Sequence, residues 1–282
     1  MTVPGSTVRV PASSANLGAG FDVFGMAVTL HADLGVGDPP EGAMRCDRYH
    51  PASIAFAELG GVDPIWMRTS VPMGRGLGFS GVARVGGAAL AVVARSDDPA
   101  TALGDRSGDI LRVAARLEGH GDNVSASLHG GATAWIDGRV VQLAVGPNLA
   151  AAALAVWIPT ATTSTDRSRA ALPLHVDRPD AVHNIGRAVQ FALAVERDDP
   201  ELLEGATSDR IHQTARLAVV PDAVAALEAG RDAGAWCGWL SGSGPTVAFL
   251  CPAEDVATVV RAMPPGGHTK VLAIDTFGTQ VL

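Results

Sequence analysis

Apolar positions in the first third of the chain recur with the short period of strands, interrupted by runs of small residues. Val8-Arg9-Val10 reads as extended backbone, 11–20 as a small-residue loop and 21–30 as an apolar stretch. A strand over 67–71 runs into Pro72-Met73-Gly74-Arg75-Gly76-Leu77-Gly78, where glycine at every second position marks a tight turn. The small residues of 80–94 predict a helix in spite of Gly86 and Gly87. Ile110, Leu111, Val113, Ala114 and Leu117 form a helical stripe over 109–118. Alternation returns over 131–145, with Asp137-Gly138 as a hairpin turn.

Past residue 150 the pattern predicts an apolar strand over 150–158 and a Thr/Ser-rich loop at 160–165. Helices follow over 180–196 and 221–229, then a strand, a glycine turn and a second strand across 238–247. A helix over 256–263 and a strand over 269–276 come last. Strands and helices mix without a regular βα repeat, which predicts an α+β fold rather than a doubly wound sheet. The composition shifts near residue 150, so the expected units are 1–150 and 151–282.

Of the 282 residues 47% are hydrophobic and 18% charged, enough for a sizeable core and unlike a disordered chain. The net charge of −8 argues against nucleic acid or an anionic membrane surface as partner. Lys270 is the sole lysine, so no other amine is available for Schiff-base or phosphate chemistry. Cys46, Cys237 and Cys251 are widely spaced and form no CxxC pair, as expected of reduced cysteines rather than a disulfide or zinc framework. The N-terminal residues show no charged-then-apolar layout, and no apolar run reaches the roughly 20 residues that cross a bilayer. The expectation is a cytoplasmic protein.

Four segments carry candidate chemistry. The glycines of 72–78 open a helix, and backbone N–H groups there suit an anion. No Gly-Lys-Ser/Thr follows, so it is not a Walker loop, and no βαβ acid makes it a dinucleotide fingerprint. Ser241-Gly242-Ser243-Gly244-Pro245 is a second glycine turn, either a plain hairpin or part of the same phosphate site. Glu118-Gly119-His120-Gly121-Asp122-Asn123 is either a reactive polar cluster or a helix end with a polar turn. Ser13-Ser14-Ala15-Asn16 and Asp22 are pocket residues or simply loop and cap residues.

Together these segments resemble the homoserine kinases of the GHMP superfamily. The matching blocks are Pro11 to Asp22, the turn at 72–78, Glu118 to Val124, and Leu240 to Thr246. Thr165-x-x-x-Arg169-x-x-Leu172-Pro173 and Asp209-x-x-His212-Gln213-x-x-Arg216 add two more, all in the family's order. The resemblance implies an N-terminal domain like ribosomal protein S5 domain 2 and a ferredoxin-like C-terminal domain, with the site between them. It implies an amino-acid pocket of Asn16, Asp22, His120, Asp122, Asn123, Arg169 and Arg216, with Asn16, Thr165 and Arg169 nearest the chemistry. The phosphate loop would be Gly74, Gly76, Leu77, Gly78 and Ser80, backed by Ser241, Gly242, Ser243 and Gly244. It further implies an amino-acid-like substrate, a homodimer, a place in threonine biosynthesis, and ATP with Mg2+ as the kinase cofactors.

The nucleotide half departs from the family. Phe79 stands where the family has the first serine of Gly-Leu-Gly-Ser-Ser, and the family's magnesium-binding acid, counted back from His120, falls at Arg112. His50-Pro51-Ala52-Ser53 replaces an asparagine-led helix near the adenine pocket. Three readings stay open. The first is a kinase in which Asp109 or Glu118 replaces the acid, or Arg112 neutralises phosphate. The second is a relative using the pocket without ATP, and the third a non-catalytic binder needing no cofactor.

Overall fold

The computed structural model describes residues 5–163 and 165–282, with the side chains of Thr165 and Asp166 outside the description. The chain forms β1 (Thr7–Ala15), β2 (Phe24–Val36), β3 (Met44–Arg45), α1 (Pro51–Glu58) and β4 (Ile65–Thr69). The glycine turn leads into α2 (Phe79–Val93), followed by α3 (Pro99–Asp105), α4 (Ser107–Glu118) and α5 (Asp122–His129). The hairpin β5 (Ala132–Ile136) and β6 (Arg139–Leu143) precedes α6 (Pro147–Ala150) and β7 (Ala153–Pro159). Then come α7 (Thr165–Ala170), α8 (Arg178–Glu196), α9 (Gln213–Leu217) and α10 (Pro221–Asp232). After them lie β8 (Cys237–Leu240), β9 (Val247–Cys251), α11 (Val256–Ala262), β10 (Gly267–Leu272) and β11 (Gln280–Val281).

Two antiparallel sheets organise these elements. The first has the order β11-β1-β2-β4-β3, with β5 on β2 and β6 on β5. The second has the order β10-β7-β9-β8. The arrangement is the expected α+β fold. β11 brings the chain back to the first sheet, with Val281 opposite Val8. Among the described residues no helix is long and apolar enough to cross a membrane.

The second sheet is covered on both faces, which explains why 150–158 reads as a continuous apolar run. Leu154, Val156 and Ile158 of β7 join the core shared with the first sheet. The alternate residues Ala153, Ala155 and Trp157 pack under α10 and α11 in a separate core. The glycines inside α2 have a packing reason too: a Cβ at Gly87 would overlap the carbonyl of Ala52 in α1.

Three expectations are corrected. The segment 11–20 is loop only from Asn16 onward, because β1 runs on to Ala15 past a register shift at Pro11/Ala12. Its small residues Ala12, Ser13 and Ser14 are fully buried under α2 and α5, so no polar face marks the strand. The polar cluster after Glu118 is not a simple turn: α5 starts at Asp122, whose carboxylate accepts from the Asn123 N–H at 2.8 Å. The helix expected to be lost near residue 50 is present as α1. His50 caps it, Nδ1 accepting from the Ala52 N–H at 3.2 Å, and Pro51 opens its first turn.

Candidate active site

A cleft with a cavity volume of about 130 Å³ draws its walls from both halves of the chain. Asn16 and Asp22 enter from the β1–β2 connection, Gly74 to Gly78 from the glycine turn, and Glu118, His120, Asp122 and Asn123 from the α4–α5 junction. Arg169 of α7, Arg216 of α9, and Gly242 and Ser243 of the second glycine turn complete the opposite half of the sequence. All six matching segments therefore meet in space.

The glycine turn is built for an anion. Gly74, Gly76 and Gly78 have φ of 64°, 74° and 68°, a left-handed backbone that side chains resist. Gly78 caps the 15-residue α2, whose first N–H groups have no partner within the helix. The second turn braces the first. Ser241 Oγ donates to the Gly76 carbonyl at 2.6 Å and pairs with Ser14 Oγ at 2.8 Å. Thr163 joins both turns, its N–H donating to the Gly74 carbonyl and its Oγ1 to that of Gly244. Leu77 is buried in the main core, and Ser241 is buried behind the lining that Gly242 and Ser243 provide.

On the other side Arg169 grips Asp22 with two bonds, Nη1 to Oδ2 at 2.9 Å and Nη2 to Oδ1 at 2.5 Å. Both guanidiniums lie over the ring of Phe21, Arg169 at 5.6 Å and Arg216 at 5.2 Å from its centre. Arg216 is 4% exposed and donates to the Gly242 carbonyl, while its Nε is buried without a partner. Burial, and then the neighbouring Arg169, hold its pKa below the usual arginine value.

The Asp209–Arg216 segment is chiefly a mount. Asp209 accepts from the N–H groups of His212 and Gln213 and from Asn184. Gln213 accepts from the Leu240 N–H, and His212 bonds the Gly18 carbonyl. Asn16 is held at both ends of its amide, accepting from the Asp22 N–H and donating to the Gly242 carbonyl. His120 Nδ1 lies 2.7 Å from Asp122 Oδ1, and Asn123 accepts from Ser13 Oγ. Of the expected chemical residues, the Thr165 side chain lies outside the described residues.

The expectation for Arg112 is overturned. Its side chain is 69% exposed, paired with Asp109 on the outer side of α4, and it does not line the cleft. Glu118, the last residue of α4, does line it. Glu118 directly precedes the capping Gly119, two residues before His120. Arg84 escaped the sequence reading: it ion-pairs with Glu118 and donates to Ser80 Oγ. A lone arginine in a small-residue helix carries no pattern to reveal it. Phe79 packs its ring against the main core and meets His50 edge-on, 6.2 Å between centres.

The family described as "GHMP kinases C terminal" matches residues 190–266. The homoserine kinase of Thermus thermophilus is 33% identical across 94% of each chain. That of Moorella thermoacetica is 38% identical across 86% of each. The crystal structure of homoserine kinase from Cytophaga hutchinsonii superposes with a TM-score of 0.81 at 25% identity, covering 98% of this chain and 97% of that one. Sequence, fold and the convergence of the six segments agree: the chain belongs to the homoserine kinase family.

Proposed function

We propose that the protein transfers the γ-phosphoryl group of ATP to the side-chain hydroxyl of homoserine. The observation that carries this reading is the presence of Asp22, Arg169 and Arg216 in one cleft with the glycine turn. A zwitterionic amino acid replaces each half of the Asp22–Arg169 pair by its own opposite charge. Its ammonium meets Asp22, and its carboxylate meets the forks of Arg169 and Arg216, where the unpartnered Nε of Arg216 finds an acceptor. Asp122 orients His120 through its Nδ1, leaving Nε2 for the substrate. Asn16 has one amide N–H left for the same ligand. Thr165 is proposed to flank the reacting hydroxyl.

In the transfer the hydroxyl oxygen bonds to the γ-phosphorus as the bond to the bridging oxygen of ADP breaks, and the hydroxyl proton is released. The protein contributes positioning and charge rather than a covalent intermediate. Backbone N–H groups of the glycine turn and α2 receive the polyphosphate. The family resemblance also implies a magnesium ion. Among the described residues no group of three or more His, Cys, Asp and Glu is arranged to hold a metal. Magnesium often needs only one or two carboxylates besides phosphate. Glu118 is the carboxylate beside the turn, yet Arg84 already neutralises it, and Phe79 supplies no oxygen. The residues as arranged do not fit a protein-held magnesium ion.

The same reading assigns the protein to threonine biosynthesis in the cytoplasm. A homodimer is supported by the exposed stripe Val182, Ile185, Val189 and Leu193 on α8. The neutralised Glu118 favours the second reading, chemistry on a similar acid without ATP. Phosphorus NMR of the purified protein with ATP and homoserine decides between them. O-phosphohomoserine is expected. Homoserine binding without any transfer supports the ATP-independent reading, and absence of homoserine binding overturns both.

A further inference from the structure

Arg84 stands four residues after Ser80, on the same face of α2, and its side chain is 22% exposed. It pairs with Glu118, the residue ending α4, and with the Ser80 hydroxyl; both partners line the cleft beside the glycine turn. A buried guanidinium is costly unless its donors and its charge are matched. Burial lowers its pKa from the ordinary arginine value, yet arginine remains a cation at any physiological pH. A permanent positive charge on a rigid helix thus stands behind Ser80 and Glu118, which line the cleft while Arg84 itself does not.

A polyphosphate entering this cleft meets the Glu118 carboxylate, which repels it, while the Arg84 guanidinium in contact with that carboxylate from behind attracts it. A guanidinium has five N–H donors, and the ion pair with Glu118 and the bond to Ser80 both run through Nη1, so Nη2 and Nε keep theirs for phosphate oxygens. Its planar fork binds phosphate in two-pronged fashion, which a solvated point charge does not. Phe79 supplies no hydroxyl there, and the polar lining residues Ser80 and Glu118 both contact the arginine behind them. We infer that Arg84 is a phosphate-binding residue that takes the role of a cation at the glycine turn, so that the cleft accepts a nucleoside triphosphate without a divalent ion. The identity of the nucleotide rests on the kinase reading; the role of Arg84 concerns only phosphate.

Calorimetric titration of the full chain with ATP, once in EDTA and once with excess magnesium, tests this in the wild type and in Arg84→Ala and Arg84→Lys. The wild type should bind metal-free ATP within about threefold of its affinity with magnesium. Arg84→Ala should bind metal-free ATP roughly tenfold or more weakly, the loss expected of charge-assisted bonds. Magnesium should recover part of that loss, because Glu118 is then free, and Mn2+ alone should bind the variant more tightly by electron paramagnetic resonance. Arg84→Lys should fall between, since it keeps charge but not the fork. Homoserine affinity, measured in parallel, reports whether a variant is folded.

If the wild type binds ATP more than about tenfold tighter with magnesium, the inference is overturned, whatever the variants do. It is equally overturned if Arg84→Ala binds metal-free ATP like the wild type. Metal-free ATP binding through Arg84 without phosphohomoserine formation would sink the kinase reading instead and leave the role of Arg84 standing.

Discussion

Asp22 and Arg169, separated by 147 residues in the chain, face each other across the cleft as a two-pronged ion pair. Each is about one-third exposed, so the pair is accessible to a ligand and partly screened. Asp22→Asn removes the partner of a substrate ammonium while leaving two guanidiniums beside Phe21. We expect homoserine affinity to fall by about 1.5–3 kcal/mol, the range for hydrogen bonds to charged groups. The same variant should now favour a hydroxy acid without the ammonium over homoserine. Arg216→Ala should cost about 2–5 kcal/mol because that side chain is buried, with no rescue by Arg216→Lys. Calorimetry with homoserine and 4-hydroxybutyrate reads both effects; unchanged affinity in Arg216→Ala refutes the pocket assignment.

Arg112→Ala should leave activity and ATP affinity within about twofold of the wild type. Its side chain pairs with Asp109 on the exposed side of α4, where solvent screens the pair and it contributes little. A Glu118→Gln variant, by contrast, releases Arg84 from its ion pair and should change the metal dependence of ATP binding. Steady-state kinetics at several magnesium concentrations compare the two. A large effect of Arg112→Ala with none from Glu118→Gln would restore the acid position to Arg112.

Legibility in the sequence followed how strongly burial patterned each segment. Helix α4 was readable because one face is apolar and the other polar, and the hairpin at 131–145 because Asp137-Gly138 marks its turn. β1 beyond Val10 was not, because small residues buried on both faces show no alternation. The six segments of the site could be read from their motifs, but their convergence is a property of the fold. Counting back from His120 reached Arg112, which lies on the exposed side of α4, whereas Glu118, the other acid named from the sequence, lines the cleft just before Gly119 ends the helix at φ 87°. Arg84 had no signal at all, since its partner belongs to a different helix.

His212 should make the protein sensitive to acid. Arginine has only donors, so the 3.1 Å contact with Arg216 Nη1 makes His212 Nδ1 the acceptor, and Nε2–H then donates to the Gly18 carbonyl. The ring is therefore neutral in this arrangement. Burial lowers its pKa, outweighing the pull of Asp209, while Arg216 acts in the same direction as burial and Asp22 opposes it. A folded-state pKa below the unfolded value of about 6.5 means that the unfolded chain binds more protons in acid. This contribution to stability is complete above about pH 6.5 and is lost as pH falls from there toward the folded value. His50 and His129, also lowered by burial, add to the same slope. Melting temperatures from pH 8 to pH 5 should fall in the acid half of that range, and less steeply in His212→Gln. An identical slope in the variant counts against this account.

Gly76→Ala should damage both halves of the site through one carbonyl. Residue 76 has φ 74°, which costs a non-glycine residue about 1–3 kcal/mol, and the added Cβ would overlap the Ser241 carbonyl oxygen. The second glycine turn must then move, and that turn holds the Gly242 carbonyl to which Asn16 and Arg216 donate. Homoserine affinity should therefore drop together with ATP affinity, although residue 76 belongs to the phosphate side. Gly108→Ala is the matched control: it lies in α4 with open space around its Cβ and no positive φ, so it should stabilise the fold by about 0.5–1 kcal/mol and leave both affinities alone. Calorimetry with each ligand and a melting curve for each variant give the comparison. If Gly76→Ala weakens ATP binding but not homoserine binding, the two glycine turns do not act as one braced unit.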